Sequence, residues 1–169
     1  ALPGWQGFLV ELERQIMTEF DYRDEAVSLQ DVRQNMMQSP YKSRVAVPEP
    51  FKSLCSKYVL VMEMLPGKKL AEAVEDNLAL AFGGDRALAS TFLAAKQEEV
   101  LFGSDSSRTD SIIASCSLLV KVRLFLFHQK YKRFVDLLVD VHGHQIFLDG
   151  CFNGDSHPGN CLDCGDGRL

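Results

Sequence analysis

Gly154-Asp155-Ser156-His157-Pro158-Gly159-Asn160 is the stretch that decides how this 169-residue chain is read. A loop this short, stiffened by Pro158 and turned by Gly159, can present a carboxylate and an amide oxygen into one cleft. At average residue usage, the five fixed residues of D-x-H-P-G-N arise by chance on the order of once in several million positions. The bland alternative is a surface Asx-Pro-Gly turn. Asp155, Pro158, Gly159 and Asn160 would satisfy it, but such a turn makes no demand for His157.

Working outward, residues 118–148 have helical periodicity, with Phe134, Leu138, Val141 and Leu148 on one face and Asp149-Gly150 as the stop. On the far side of the loop, Cys161-Leu162 and Gly165-Asp166-Gly167 predict the start of a hairpin. At the other end of the chain, apolar residues four apart (Phe8, Leu12, Ile16, Phe20) continue through Leu29, Val32 and Met36. That spacing predicts one long helix from Trp5 to about Met37, ending near Ser39 before Pro40. Arg44 to Val47 and Tyr58 to Leu65 read as two antiparallel strands, and Lys69 to Phe82 as a helix stopped by Gly83-Gly84. Residues 83–117, with serine crowded at 104–117 around a candidate short helix, read as an insertion or long loop.

Composition bounds the function. The chain is 46% hydrophobic and 24% charged, which suits a globular domain able to bury a core without disulfides or a structural metal. A net charge of −5 without a basic stripe argues against nucleic acid as a partner. Five scattered cysteines read as reduced thiols. No stretch reaches the 18 or more apolar residues of a membrane span, since Lys121 and Arg123 break the run from Leu118 to Phe127. Ala1 opens the chain without a charged-then-apolar leader, so any targeting peptide is expected to be removed or not included.

The Asp155-to-Asn160 spacing matches the D-x-x-x-x-N catalytic loop of kinases. There the Asp accepts the proton of the attacking hydroxyl and the Asn holds magnesium. The loop resembles that of UbiB-type (AarF-domain, ADCK-type) atypical kinases, and equally that of aminoglycoside and choline phosphotransferases. Glu19-Phe20-Asp21-Tyr22-Arg23-Asp24-Glu25-Ala26 separates them, because it resembles the E-x-D-Y-x-x-E-A signature of the UbiB family, which the small-molecule phosphotransferases lack. On a continuous helix Asp21 and Glu25 would share a face, so a cation is expected beside them. Tyr58-Val-Leu-Val-Met-Glu-Met-Leu-Pro-Gly67 resembles the family's fifth strand and hinge.

The resemblance covers about residues 8–82 and 130–169, and residues 83–130 do not align. It implies an α+β fold: a partial protein-kinase-like core, with the back of the small lobe (1–66, helix C and hinge) and the front of the large lobe (67–169, catalytic loop 151–160). It implies that Glu25 pairs with a nucleotide-touching lysine lying before Ala1. Backbone groups of Glu63 and Leu65 bind adenine with Met62 as gatekeeper, Asp155 is the catalytic carboxylate, and Asn160 is a magnesium ligand. Glu19, Asp21 and His157 are signature residues, the first two facing an upstream K-x-G-Q segment. The implied cofactors are ATP and Mg2+. The implied setting is ubiquinone or other prenyl-lipid metabolism on an organellar (mitochondrial or chloroplast) or bacterial membrane face, with peripheral membrane contact and lipid-biosynthesis proteins as partners.

Several residues depart from the pattern: Ser28 stands where the family usually has Asn, Asn153-Gly154 replaces His-Ala, and Ser156 often corresponds to Pro. None removes a catalytic atom. With the nucleotide lysine, the phosphate loop and the second metal-binding Asp expected outside these residues, the chain alone is expected to be a poor catalyst. Kinase, ATPase and nucleotide-binding scaffold all remain open, as does a small-molecule phosphotransferase. Cys161-Leu162-Asp163-Cys164 has C-x-x-C spacing but too few further ligands for zinc and no following helix for a redox motif.

Overall fold

The computed structural model describes residues 5, 7–11, 21–103, 106–152, 154 and 157–168. These form two compact units, one made of residues 1–66, 141–154 and 164–169, the other of residues 67–140 and 155–163.

In the first unit the expected single helix is interrupted. Residues 7–11 are helical, but Asp21 is extended (φ −122°, ψ 97°) and serves as the N-cap of a new helix, α1, Tyr22–Gln38. The Asp21 carboxylate accepts the Arg23 backbone N–H at 3.1 Å, which satisfies one of the orphan donors of the first turn. Asp21 and Glu25 therefore do not stack on one helical face. A cation does lie beside Asp21: Arg23, whose Nε and Nη2 donate to its carboxylate at 2.9 and 2.6 Å. The helix ends at Ser39, whose N–H bonds the Met36 carbonyl at 3.1 Å, one residue before Pro40.

The expected strand at residues 44–47 does not pair. Residues 49–51 take that place, with the Phe51 amide donating to the Val61 carbonyl (2.9 Å) and the Glu63 amide to the Glu49 carbonyl (2.8 Å). The result is a short antiparallel bridge, Pro50 opposite Met62, with a 3-10 turn at Lys52–Leu54 between the two sides. Pro48 and Pro50 lack donors, which keeps the pairing short.

The second unit is helical around a two-stranded sheet. β1 (Lys68–Lys69) leads directly into α2 (Leu70–Ala81), which stops at Gly83 and Gly84, both with positive φ. Residues 83–117 are not a long loop. They contain α3 (Arg86–Phe102), capped by the Asp85 carboxylate on the Leu88 amide at 2.9 Å and closed by Gly103 in the left-handed region, and α4 (Ser107–Ser115). Both belong to the core. Leu78, Ala79, Phe82 and Ala89 are buried together, with Phe92, Leu93, Ile112, Val120, Leu124 and Phe127 packed against them. Burying a side chain such as Leu78 contributes roughly 1.5–3 kcal/mol.

The last helix, α5, runs Leu118–His144 and passes into a π-helical turn, Gln145–Asp149, closed by Gly150 at φ 66°. Phe134, Leu137 and Val141 are buried, whereas Leu148, expected on the same face, is 74% exposed. The extra residue of a π turn rotates the residues after it off the helical stripe. β2, Leu162–Asp163, pairs antiparallel with β1, Lys68 opposite Asp163 and Lys69 opposite Leu162. Its partner is thus the strand before α2. The expected hairpin after Cys161 is reduced to a turn in which the Cys164 amide donates to the Arg168 carbonyl at 3.2 Å. Among the described residues no helix is long and apolar enough to cross a membrane.

Candidate functional site

The described part of the loop is a tight turn. The His157 carbonyl accepts the Asn160 amide at 2.8 Å, with Pro158 and Gly159 at the two central positions. The Gly159 amide donates to Nδ1 of His157 at 2.9 Å. A Cβ at residue 159 would lie 2.9 Å from that nitrogen and 3.2 Å from Cε1, so glycine is there for space and not for a left-handed backbone. His157 thus has a structural role in the loop, and Asn160 is an exposed residue. Asp155 and Glu19 lie outside the described residues.

The turn is fastened from behind, within the second unit. The Cys161 carbonyl accepts the Leu70 amide at 2.8 Å, and β2 then pairs with β1. Asp163 is buried, its side chain 4% exposed, and its carboxylate receives the Lys130 ammonium from α5 at 2.6 Å. Lys130 Nζ also lies 5.2 Å from the Tyr131 ring centroid and 5.5 Å from that of Phe134, while the Tyr131 hydroxyl accepts from Asn77 of α2 at 2.8 Å. Burial raises the Tyr131 pKa, so the hydroxyl stays protonated. At the front of β1, Lys68 and Arg86 each reach Asp76 at 2.7 Å. Those two hydrogen bonds, that of Lys68 first, hold the Asp76 carboxyl below its ordinary range. Sequence reading missed Lys130, Asp163 and Asp76, because their partners are 33, 33 and about ten residues away and no local spacing links them.

The hinge candidates lie in the first unit. Met62 is 41% exposed and bridges to Pro50, Glu63 is exposed, and Leu65 is half-buried. The Glu63 amide is taken by Glu49, whereas among the described residues neither the Glu63 carbonyl nor the Leu65 amide has a backbone partner. Glu25 is exposed on the first turns of α1 and has no ion-pair partner among the described residues. The side chain of Glu63 meets another residue absent from the sequence reading, Arg33 of α1, at 3.5 Å. Among the described residues no group of three or more His, Cys, Asp or Glu side chains is placed to hold a metal, and all five cysteines are free thiols. Burial raises the Cys161 thiol pKa, which keeps it a poor nucleophile.

Residues 2–98 match the ABC1 atypical kinase-like domain. The chain belongs to that family. The matched region contains the E-x-D-Y-x-x-E-A segment, residues 58–67, α2 and most of α3, and the family implies a kinase-like fold; the described residues of the chain are mostly helical with a small sheet. No curated protein and no solved structure matches the chain. The D-x-H-P-G-N loop lies beyond residue 98, so its reading rests on its own residues and on the turn that they form.

Proposed function

We propose that this member of the ABC1 atypical kinase-like family contributes the hinge, the helix-C glutamate and the catalytic loop of a magnesium- and ATP-dependent phosphotransferase or ATPase of the UbiB type. In this reading residues 1–66 carry the back of a small lobe and residues 67–169 the front of a large one. The observation that supports it most is the His157–Asn160 turn. It fixes the backbone of Asn160 at an exposed position, in a sequence whose spacing matches the kinase loop.

Each residue then has a role. The Glu63 carbonyl and the Leu65 amide, without backbone partners among the described residues, meet the donor and acceptor of the adenine edge, with Met62 beside them. Glu25, exposed and without an ion-pair partner among the described residues, takes the lysine that positions the nucleotide phosphates. Asn160 offers one hard oxygen, which fits one position of an octahedral magnesium shell. Bound magnesium supplies charge neutralisation of the phosphates. Asp155 accepts the proton of the attacking hydroxyl or water. The acceptor belongs to ubiquinone or other prenyl-lipid metabolism at an organellar or bacterial membrane face, where lipid-biosynthesis proteins are the partners. Membership of the ABC1 family weighs against the small-molecule phosphotransferase reading.

Calorimetric titration with magnesium-ATP tests this. The protein should bind, and Leu65→Pro, which deletes one backbone donor at the hinge, should weaken binding about tenfold or more with the circular dichroism unchanged. Absence of any heat of binding in the unmodified protein would contradict the reading, and binding without turnover would favour a nucleotide-binding scaffold.

A further inference from the structure

α1 is fastened to the segment that leads into the hinge at two well-separated points. Near its start the Tyr22 amide donates to the Lys57 carbonyl at 3.1 Å. About three turns on, or about 16 Å along the axis, the Arg33 guanidinium fans out over three acceptors. Nη1 donates to the Val47 carbonyl and reaches Oε2 of Glu63 at 3.5 Å, and Nη2 reaches Oε2 of Glu49 at 3.4 Å. Oε2 of Glu63 in turn accepts the Glu49 amide at 3.2 Å, next to the Glu63-amide-to-Glu49-carbonyl bond at 2.8 Å. The Arg33 side chain is 25% exposed and its bond to the Val47 carbonyl is partly buried, whereas the Glu49 and Glu63 side chains, 55% and 43% exposed, meet it from the solvent side.

Each ion pair is long, and an isolated contact of that kind contributes little. What matters is the fork. A planar guanidinium can hold three acceptors in one geometry, which a lysine ammonium on a flexible stem cannot do equally well. In ordinary protein kinases the helix bearing the pairing glutamate swings independently, and its position controls activity. Here that helix and the hinge segment share a clamp.

We propose that Arg33 is a positioning residue that locks α1 to the hinge segment, so that Glu25 and the Glu63–Leu65 backbone move as one piece and nucleotide seated on the hinge stiffens α1. The coupling to nucleotide rests on the ATP-binding reading above, whereas the lock itself does not.

Hydrogen exchange and magnesium-ATP titration on Arg33→Gln, Arg33→Lys, Glu63→Gln and the double variant Arg33→Gln/Glu63→Gln provide the test. In Arg33→Gln the Phe51 and Glu63 amides and those of the second half of α1 should exchange about tenfold faster. Arg33→Lys should recover part of the protection, and the double variant should be no faster than Arg33→Gln. Magnesium-ATP affinity should fall by a similar factor, and adding magnesium-ATP to the unmodified protein should slow exchange in α1. Unchanged exchange in Arg33→Gln, or strictly additive effects in the double variant, would overturn the lock even if nucleotide binds. Faster exchange in a protein that never binds nucleotide would sustain the lock and refute the coupling together with the ATP reading. Should Arg33→Gln not fold, Glu63→Gln probes the same lock from the other side, with faster exchange in α1 supporting it and unchanged exchange overturning it.

Discussion

The Gly159 amide and the His157 imidazole are locked face to face: the amide donates to Nδ1 at 2.9 Å, and a Cβ on residue 159 would sit 2.9 Å from the same nitrogen. One backbone bond and one missing methyl group thus set the shape of the loop between Pro158 and Asn160. Because the atom in the way belongs to an exposed ring that can rotate, Gly159→Ala should leave stability within about 1 kcal/mol of the original. It should nevertheless break the amide-to-imidazole bond and shift Asn160, lowering ATP turnover by up to about a hundredfold. Urea denaturation alongside a turnover assay of the whole protein checks this, and a variant that turns over normally would show that the turn does not set the site.

The pair behind the loop is asymmetric. Asp163 is 4% exposed at its side chain and Lys130 39%, so the two charges depend on each other unequally. Lys130→Met removes the cation from a buried carboxylate and should cost about 3 kcal/mol. Asp163→Asn leaves a lysine that can swing into water, and should cost clearly less. Chemical denaturation of both variants gives the comparison, and an equal or reversed order would contradict the burial assigned to Asp163.

At the N-terminus of α1, the side-chain hydrogen bond from Arg23 depresses the Asp21 carboxyl from its ordinary 3.8 to about 2. A carboxyl with a depressed folded-state pKa contributes stability that is present above the unfolded value and lost as pH falls through the folded one. Protection of the first-turn amides of α1 should therefore hold down to about pH 4 and disappear between there and about pH 2. Asp21→Asn, which keeps a capping oxygen but no charge, should flatten that dependence while retaining most of the protection above it. A pH-independent profile in the unmodified protein would remove the Arg23 pairing from the account.

The elements that were legible in the sequence carry their own punctuation. Ser39 before Pro40 and Gly83-Gly84 after α2 end helices where local sterics dictate, and the structure ends them there. The break at Asp21 was equally local, since an N-cap type stood in plain view, but the apolar spacing on both sides masked it. Helix α4 was hidden by serine, whereas α3, with a single serine and the Asp85 cap, carried a helical pattern that the reading of 83–117 as one segment passed over. Ser90, Ser111 and Ser115 return their hydroxyls to carbonyls three or four residues earlier, which lets a residue favoured in loops sit in a helix at little cost.

Partner choice in the sheets was the least legible part. β2 pairs with Lys68–Lys69, almost a hundred residues earlier, and Pro50 bridges to Met62 across a short excursion. Two-residue strands have too little pattern to announce a register. At the site, residue types and spacing marked His157, Gly159 and Asn160. Arg33, Lys130 and Asp163 had no local signal, because their roles come from tertiary proximity alone.

The central claim is that the D-x-H-P-G-N loop performs phosphoryl transfer chemistry, and the most direct test is ATP turnover by the whole protein carrying Asp155→Asn. The substitution deletes a charge without changing size, so the fold and magnesium-ATP binding should persist. Turnover should fall by about a hundredfold or more through loss of the proton-accepting carboxylate. Turnover equal to that of the unmodified protein would contradict the account.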